Sequence, residues 1–171
     1  MIKRGSMQRG LGGVRLALLL LFSLFFIQPA LADWSGPVVW VQDGDSLIVK
    51  RGGERVVIRL QGIDTPEKGQ PFAQEAKKTA IRLAKNKRVR IQVKERDKYG
   101  RMVAQVFLPD GRNLAHTLVR MGLAWRHIYF AKDPMLKTLE EQARKAGLGL
   151  WQERNPTPPW VWKKRLRKKN H

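Results

Sequence analysis

A short acidic segment at residues 43–46, with the sequence DGDS, is a first candidate for chemistry. Asp43-Gly44 alone would form an ordinary hairpin turn. Carboxylates on both sides of a glycine can also converge on a hard cation, because Ca²⁺ and Mg²⁺ take oxygen ligands from short acidic loops. The ligand spacing of an EF-hand is absent. The segment therefore predicts either a plain turn or part of a cation site.

A second acidic segment, DTPE at residues 64–67, follows a strand-like run of apolar residues. Thr65 and Pro66 could begin a helix as its N-cap and first residue. However, a glycine and a proline follow at positions 69 and 71, and they would end such a helix before two turns were complete. We therefore expect a rigid loop in which Pro66 directs Asp64 and Glu67 toward one place.

Two arginines and a tyrosine add further candidates. Arg59 lies within the apolar run at residues 55–63, and a charged residue in a buried strand normally has a partner or a function. The segment DKYGR at residues 97–101 needs only its aspartate and glycine to form a turn, so Tyr99 and Arg101 call for another explanation. A tyrosine ring can stack on a nucleobase, and an arginine fork matches phosphate oxygens.

The composition favours a polyanionic partner. The 171 residues include 34 Lys and Arg against 14 Asp and Glu, giving a formal charge of +20, and they include no cysteine. The charge is +16 for residues 33–171 and +10 for residues 33–162, because four basic residues precede residue 33 and six follow residue 162. Such a surface attracts nucleic acid or an anionic membrane. A basic protein that is merely soluble is the alternative.

The first 32 residues have the pattern of a signal peptide. A basic start precedes the apolar run LALLLLFSLFFI at residues 16–27, and PALA at residues 29–32 supplies an A-x-A cleavage pattern. The run is short for a transmembrane helix, although an uncleaved N-terminal anchor is the alternative. We predict cleavage after Ala32 and an exported product, periplasmic or secreted. No other long apolar run occurs, so we expect residues 33–171 to be soluble.

The remaining pattern predicts one domain of mixed strands and helices. Short β-rich runs and helical periodicities alternate, and Asn113 and Asp133 are suited to cap the second and third helices. The order βββ-α-ββ-α-α is that of a five-stranded OB-fold barrel with helices, an α+β fold. The predicted strands are 37–42, 46–51, 55–63, 88–95 and 102–109, and the predicted helices are 71–86, 113–122 and 133–147.

The segments VQDGDSLIV, IRLQGIDTPE and DKYGR, in that order and at these intervals, resemble the staphylococcal nuclease (thermonuclease) family. The resemblance covers about residues 37–152, with LVRMGLA at residues 118–124 and GLGLW at residues 147–151. Together with the signal-peptide pattern and the composition of the C-terminal segment, it predicts three parts of the chain. These are a signal peptide at 1–32, a nuclease domain of the family at 33–153, and a Pro/Trp-rich strap with a basic tail at 154–171, which we expect to be disordered beyond Trp162.

The resemblance also implies a site. Asp45, Asp64 and the backbone carbonyl of Thr65 correspond to ligands of one Ca²⁺, and Asp43 to an acid that supports them. Glu67 matches the residue usually taken as general base. The remaining matches are Arg59 and Arg101, which resemble the arginines that bind the scissile phosphate, and Tyr99, which is similar to a tyrosine near the nucleotide.

The implied activity is an endonuclease of the micrococcal type, hydrolysing DNA and RNA to 3′-phosphate products with little sequence preference. The alternative is a non-catalytic OB-fold module that binds nucleic acid. A third possibility is an envelope protein held on the membrane by an uncleaved signal segment and a basic tail. The resemblance implies no stable protein partner, and we expect a monomer.

The sequence says less about the roles of its aromatic residues and histidines. The segment AWRHIYFAKD at residues 124–133 leaves open whether His127, Tyr129 or Phe130 contacts a base. His116 has no metal-ligand type of residue spaced to join it, so we expect a packed or surface histidine. The three tryptophans at positions 34, 40 and 125 are expected in the core or at its rim.

Overall fold

The structure is a computed structural model that describes residues 33–169; the predicted signal peptide lies outside the described residues. Its strands are β1 Trp34–Val41, β2 Ser46–Arg51, β3 Glu54–Leu60, β4 Ile63–Asp64, β5 Arg88–Arg96, β6 Met102–Phe107 and β7 Trp125–Arg126. Its α-helices are α1 Ala73–Ala84, α2 Leu114–Arg120, α3 Pro134–Lys145 and α4 Pro159–Lys169, with a 3₁₀ helix at Gly149–Gln152.

Five strands form a closed barrel in the order β1-β2-β3-β6-β5. All neighbouring pairs are antiparallel except β3 and β6, which run parallel and place Arg59 opposite Val103. Because side chains alternate between the faces of a strand, every second residue points into the barrel. The apolar inward residues are at most 7% exposed; they include Val38, Leu47, Val49, Ile58, Leu60, Val89, Ile91, Val93, Met102, Ala104 and Val106. The predicted barrel is confirmed.

The helices begin and end where the sequence indicates. Asn113 caps α2 by accepting hydrogen bonds from the backbone N–H groups of Ala115 and His116. Asp133 caps α3 in the same way, with a proline in the first turn. Gly122 follows α2 at φ +67°, and a Cβ there would lie 2.1 Å from the Leu148 carbonyl oxygen. Only glycine allows this close approach.

Two features differ from the prediction. The run at 55–63 is divided, because β3 ends at Leu60 and Ile63–Asp64 form the separate strand β4, which pairs with β7. Residues 163–169, which we expected to be disordered as part of the tail, belong to helix α4. Contacts of this helix with the rest of the domain explain why it forms, although its positive charge alone favours disorder. Among residues 33–169, no helix is both long and apolar enough to cross a membrane.

Candidate active site

The centre of the candidate site is a buried cluster of two carboxylates and one guanidinium. Asp45 and Asp64 are 4% and 5% exposed. Arg59 lies between them: its Nη1 forms an ion pair with Asp45 Oδ1, and its Nη2 lies 2.5 Å from Asp64 Oδ1. Arg59 Nη2 also donates to the Ile63 carbonyl oxygen at 3.1 Å. Asp45 and Asp64, which are 19 residues apart in the sequence, therefore meet Arg59 at one point.

The strand register explains why these residues meet. Arg59 pairs with Ser46 across β2 and β3, which places its side chain beside Asp45 at the start of β2. The Leu60 backbone N–H donates to the Asp45 carbonyl oxygen at 2.8 Å, fixing the turn against β3. Asp64 is held from the other side, because β4 pairs with β7 and brings it opposite Trp125. Barrel strands and a two-residue sheet thus position the two carboxylates independently.

Thr65 joins the two acidic segments. Its backbone N–H donates to Asp45 Oδ2 at 2.7 Å, and its hydroxyl donates to the same oxygen at 3.0 Å. Asp43 is exposed and accepts a hydrogen bond from the Asp45 backbone N–H at 3.1 Å, which rigidifies the turn. Thr65 therefore orients the Asp45 carboxylate, and Asp43 holds the Asp45 backbone.

The donor set suits a hard cation. One arginine compensates only one of the two buried carboxylates, so the group carries a net negative charge. No hydrogen bond within residues 33–169 engages Asp64 Oδ2, while the Asp45 oxygens are held by Arg59 and Thr65. Those residues contain no cluster of three or more acidic or histidine side chains placed for a metal. A Ca²⁺ ion would fit Asp45 and Asp64 provided that backbone carbonyl and water oxygens complete its ligands.

Glu67 lies on the same loop, a few residues after Asp64. Its Oε1 forms an ion pair with Lys163 Nζ at 2.7 Å, and its backbone N–H donates to Gln70 Oε1 at 2.7 Å. Gln70 in turn donates from Nε2 to the Thr157 carbonyl oxygen at 3.0 Å. The loop that carries the predicted general base is therefore tied to the C-terminal segment of the chain.

Arg101 and Tyr99 form a separate group around Asp97. Arg101 donates from Nε to Asp97 Oδ2 at 2.6 Å and from its backbone N–H to Oδ1 at 3.0 Å. Burial raises the pKa of Asp97, but the hydrogen bonds from Arg101 and Tyr99 outweigh it and hold the pKa below its usual range. The Tyr99 ring is 72% exposed and lies 5.5 Å from the Arg101 guanidinium carbon. In the part of the chain that the structure describes, no hydrogen bond or ion pair joins this group to the Asp45–Arg59–Asp64 cluster.

The parallel pairing of β3 and β6 nevertheless places both arginines on the outside of the barrel. Arg59 pairs with Val103, and Arg101 lies two residues before Val103. Residues two apart on a strand share a face and lie roughly 7 Å apart. The two arginines therefore lie on the same face of neighbouring strands, with Arg101 held by Asp97 rather than by the acidic cluster.

The segment after β7 adds aromatic surface near the cluster. Tyr129 and Phe130 are 80% and 61% exposed, whereas His127 is partly buried. Burial lowers the pKa of His127; Asp64 opposes the shift, and Arg59 and Lys163 contribute to it. His127 is therefore coupled electrostatically to Asp64 and Arg59 of the cluster. His116 is bound at Nε2 to Asp133 Oδ2 at 2.6 Å, as expected for a packed histidine.

The sequence did not predict the contact between Glu67 and Lys163. The signal that could have indicated the helix is Pro158-Pro159 before WVWKKRLRKK, since a proline in the first turn followed by good helix formers favours a helix. The high positive charge of this segment masked that signal.

Comparison with known proteins identifies the family. The sequence profile of the family described as "Staphylococcal nuclease homologue" matches residues 57–153. An "Uncharacterized endonuclease" of Escherichia coli O157:H7 is 41% identical over 134 residues, which cover 78% of this chain and 88% of that protein. A "Micrococcal nuclease" of Shigella flexneri is 35% identical over 146 residues, covering 80% of this chain and 84% of that protein.

A plant relative shares a smaller part. The "Staphylococcal-like nuclease CAN1" of Arabidopsis thaliana is 34% identical over 110 residues, which cover 64% of this chain and 32% of that protein. The family profile covers more than half of the chain and includes the loop at residues 64–70 and the segment at 97–101. These matches confirm the resemblance carried by the three sequence motifs, and the chain belongs to the staphylococcal nuclease family.

Proposed function

We propose that the chain is an exported, Ca²⁺-dependent nuclease that hydrolyses DNA and RNA with little sequence preference and leaves 3′-phosphate ends. The buried Asp45–Arg59–Asp64 cluster is the observation that carries the proposal. Family membership and relatives named endonuclease and micrococcal nuclease support the nuclease function. Buried carboxylates of this kind have no use in a basic surface that only binds nucleic acid, because they would repel it.

The residues that would hold the cation are Asp45, Asp64 and the carbonyl of Thr65. When bound, Ca²⁺ supplies positive charge at a phosphate oxygen, where negative charge develops during hydrolysis. A cation at the two carboxylates would compete with Arg59 for the same oxygens. The Arg59 fork is then available to donate to the phosphate.

The side chains of this chain supply the remaining chemistry. Arg59 and Arg101 donate charge-assisted hydrogen bonds to non-bridging oxygens and stabilise the pentavalent transition state. Asp97 fixes the orientation of Arg101 by two hydrogen bonds before substrate arrives. Glu67 accepts the proton of the attacking water as a carboxylate. Tyr99, exposed beside Arg101, packs near the nucleotide.

Digestion of single-stranded DNA and RNA by residues 33–171, with Ca²⁺ and with a chelator, tests the proposal. We expect Ca²⁺-dependent cleavage to 3′-phosphate ends. Glu67→Gln should slow it by about 10²–10⁴-fold, since this is the usual contribution of a general base. Glu54→Gln, an exposed carboxylate at the far end of β3, is the matched control and should cleave normally. Arg59→Ala should abolish cleavage.

The same experiment separates the enzyme from a binding module. Salt-sensitive binding of DNA without cleavage in any divalent metal would reject the nuclease and leave the OB-fold binder. Export is tested separately by N-terminal sequencing of the protein recovered from outside the cytoplasm. An N-terminus at Asp33 supports the signal peptide, whereas an intact N-terminus supports the membrane anchor.

A further inference from the structure

We propose that the C-terminal arm, residues 154–169, forms a binding subsite for single-stranded nucleic acid next to the candidate active site. The inference rests on the proposed function and names a surface outside residues 57–153, which the family profile matches. It assigns helix α4 a role in substrate binding, in addition to the roles proposed for the two acidic segments and for Arg59 and Arg101.

Specific contacts join the arm to the loop at residues 64–70, which carries Glu67. The carbonyl oxygen of Thr157 accepts a hydrogen bond from Gln70 Nε2 at 3.0 Å, and Lys163 Nζ lies 2.7 Å from Glu67 Oε1. Gln70 also accepts the Glu67 backbone N–H, so one side chain joins the loop to the arm. These contacts bring the first turns of α4 beside the predicted general base.

An aromatic contact joins the arm to β7. The Trp160 ring centroid lies 6.0 Å from that of Trp125 and 5.8 Å from that of His127. His127 in turn lies 4.6 Å from Phe130, which is 61% exposed. Trp160 is itself only partly buried. Trp160, His127 and Phe130 therefore form a partly open row of rings.

An open groove along α4 combines a ring with positive charge. Its volume is ≈ 490 Å³, and it is lined by Trp160, Lys163, Lys164, Arg167 and Lys168. Lys163 is paired with Glu67, and no acidic residue follows Glu153 in the sequence to compensate the other three cations. Proteins bind single strands with this combination: cationic side chains follow the backbone phosphates, and aromatic rings stack on bases. Lys163 lines the groove and also contacts Glu67 in the loop at residues 64–70. One nucleic-acid strand can therefore occupy both the groove and the candidate active site.

An anionic membrane is the competing ligand for a basic helix. A membrane-surface helix needs a continuous apolar face to insert among the lipids. The apolar residues at the start of α4, from Trp160 to Trp162, are partly buried within the domain, and Leu166 is the exposed large apolar residue that the described helix offers. Nucleic acid therefore fits this surface better than lipid.

A matched pair of charge variants tests the subsite. Lys164→Gln/Arg167→Gln removes two exposed cations of α4, and Lys50→Gln/Arg55→Gln removes two exposed cations near the β2–β3 turn. That turn lies at the opposite end of β2 from Ser46 and Arg59. Both variants lose the same charge, so a general effect of net charge would be equal in the two proteins.

Binding of a fluorescent single-stranded DNA oligonucleotide is measured by anisotropy in chelator at several salt concentrations. We expect the slope of log K against log salt to become shallower by about 1.4 in the α4 variant, since each phosphate contact on a single strand contributes about 0.7. The slope of the β2–β3 control should match that of the unsubstituted protein. Equal slopes in all three proteins would overturn the inference.

Vesicles of phosphatidylserine and phosphatidylcholine provide the second arm of the experiment. Loss of vesicle binding in the α4 variant without a change in DNA binding would also overturn the inference, in favour of the membrane. Because binding is measured without metal, the result is independent of turnover. Failure of the unsubstituted protein to cleave DNA with Ca²⁺ would reject the proposed nuclease while leaving the binding result interpretable.

Discussion

At the scale of single residues, Arg59 combines a structural and a chemical role. Its guanidinium contacts two buried carboxylates at once. A lysine carries the same charge but lacks the planar fork that reaches two acceptors. The cluster therefore specifies arginine for stability before any substrate is bound, whereas the chemistry proposed for Arg59 requires that a cation take over the carboxylates and release the fork.

Replacing Arg59 by leucine should destabilise the protein by about 3 kcal/mol, because it leaves two buried carboxylates without a positive partner. The value is at the lower end for a broken buried pair because the Arg59 side chain is 16% exposed. Urea unfolding in chelator measures the change in the free energy of unfolding. Adding Asp45→Asn should restore part of the loss. A loss below about 1 kcal/mol would contradict a stabilising cluster.

His127 should make stability depend on pH below 6.5. Burial lowers its pKa from the usual 6.5, with Arg59 and Lys163 contributing and Asp64 opposing. Between the lowered pKa and 6.5 the unfolded chain binds more protons than the folded protein, so stability falls as pH falls. The full contribution of His127 to the free energy of unfolding is present above pH 6.5.

Thermal unfolding of the protein between pH 7.5 and 5 would measure this effect. His127→Gln should have a shallower pH dependence in that window, whereas His116→Gln should keep the contribution of His127. An unchanged slope in His127→Gln would show that the burial of this ring does not govern its proton binding.

At the scale of elements, the β1–β2 turn is held so closely that it excludes a side chain at Gly44. A Cβ there would lie 2.7 Å from Thr65 Cγ2 and 3.0 Å from Ala76 Cβ on α1. The turn thus contacts the second acidic segment and a helix at the same time. This contact, together with the Thr65 hydrogen bonds, determines the separation of the two acidic segments.

Gly44→Ala should destabilise the protein by about 1–3 kcal/mol, since it overpacks a filled site. It should also weaken Ca²⁺ binding, because Thr65 must move while it is bonded to Asp45. Urea unfolding and calcium titration by calorimetry measure the two effects. Gln42→Ala, in the exposed residue before the same turn, is the control. Wild-type affinity for Ca²⁺ in Gly44→Ala would argue against a site that spans the two segments.

The elements also show what the sequence could and could not predict. Barrel strands were predictable because their apolar residues alternate, as in Val89, Ile91 and Val93. Strands β4 and β7 have two residues each, too few to show any period, and they exist because they pair with each other. Residues 163–169 of helix α4 were wrongly expected to be disordered, because their charge favours disorder and the contacts of the helix with Glu67 and Trp125 could not be read from the sequence.

The residues of the candidate site also divide into those that the sequence could predict and those that it could not. Asp45, Arg59 and Asp64 were predicted as one group, and the geometry brings them together. The position of Arg101 was not predicted in detail, since its bond to Asp97 depends on turn geometry. Lys163 could not be assigned to Glu67 from the sequence, because the two are 96 residues apart and no pattern joins them.

At the scale of the whole molecule, the barrel carries the core and the C-terminal arm contributes little to it. Within residues 154–168, Pro159 alone is buried. A protein ending at residue 153 should therefore keep the barrel, with a near-native circular dichroism spectrum. Its midpoint of thermal unfolding should fall by less than about 10 °C, since 1 kcal/mol corresponds to roughly 4 °C for a domain of this size.

Thermal unfolding of residues 33–153 beside residues 33–171 tests this expectation. A C-terminally shortened protein that ends at residue 145, and so also lacks the 3₁₀ helix with its buried Leu150, should lose much more stability. Failure of residues 33–153 to fold would show that the arm belongs to the core of the domain.

The parallel contact between β3 and β6 has a consequence for a chain that folds as it emerges from its N-terminal end. A chain that has emerged only as far as residue 96 can form the β1–β2–β3 sheet and add β5 to β1, yet β3 and β5 both keep an unpaired edge. Open edges of this kind are exposed to pairing with other chains. The 11 residues from 97 to 107 close both edges at once. Emergence of the segment that carries Tyr99 and Arg101 therefore coincides with the step that removes both open edges.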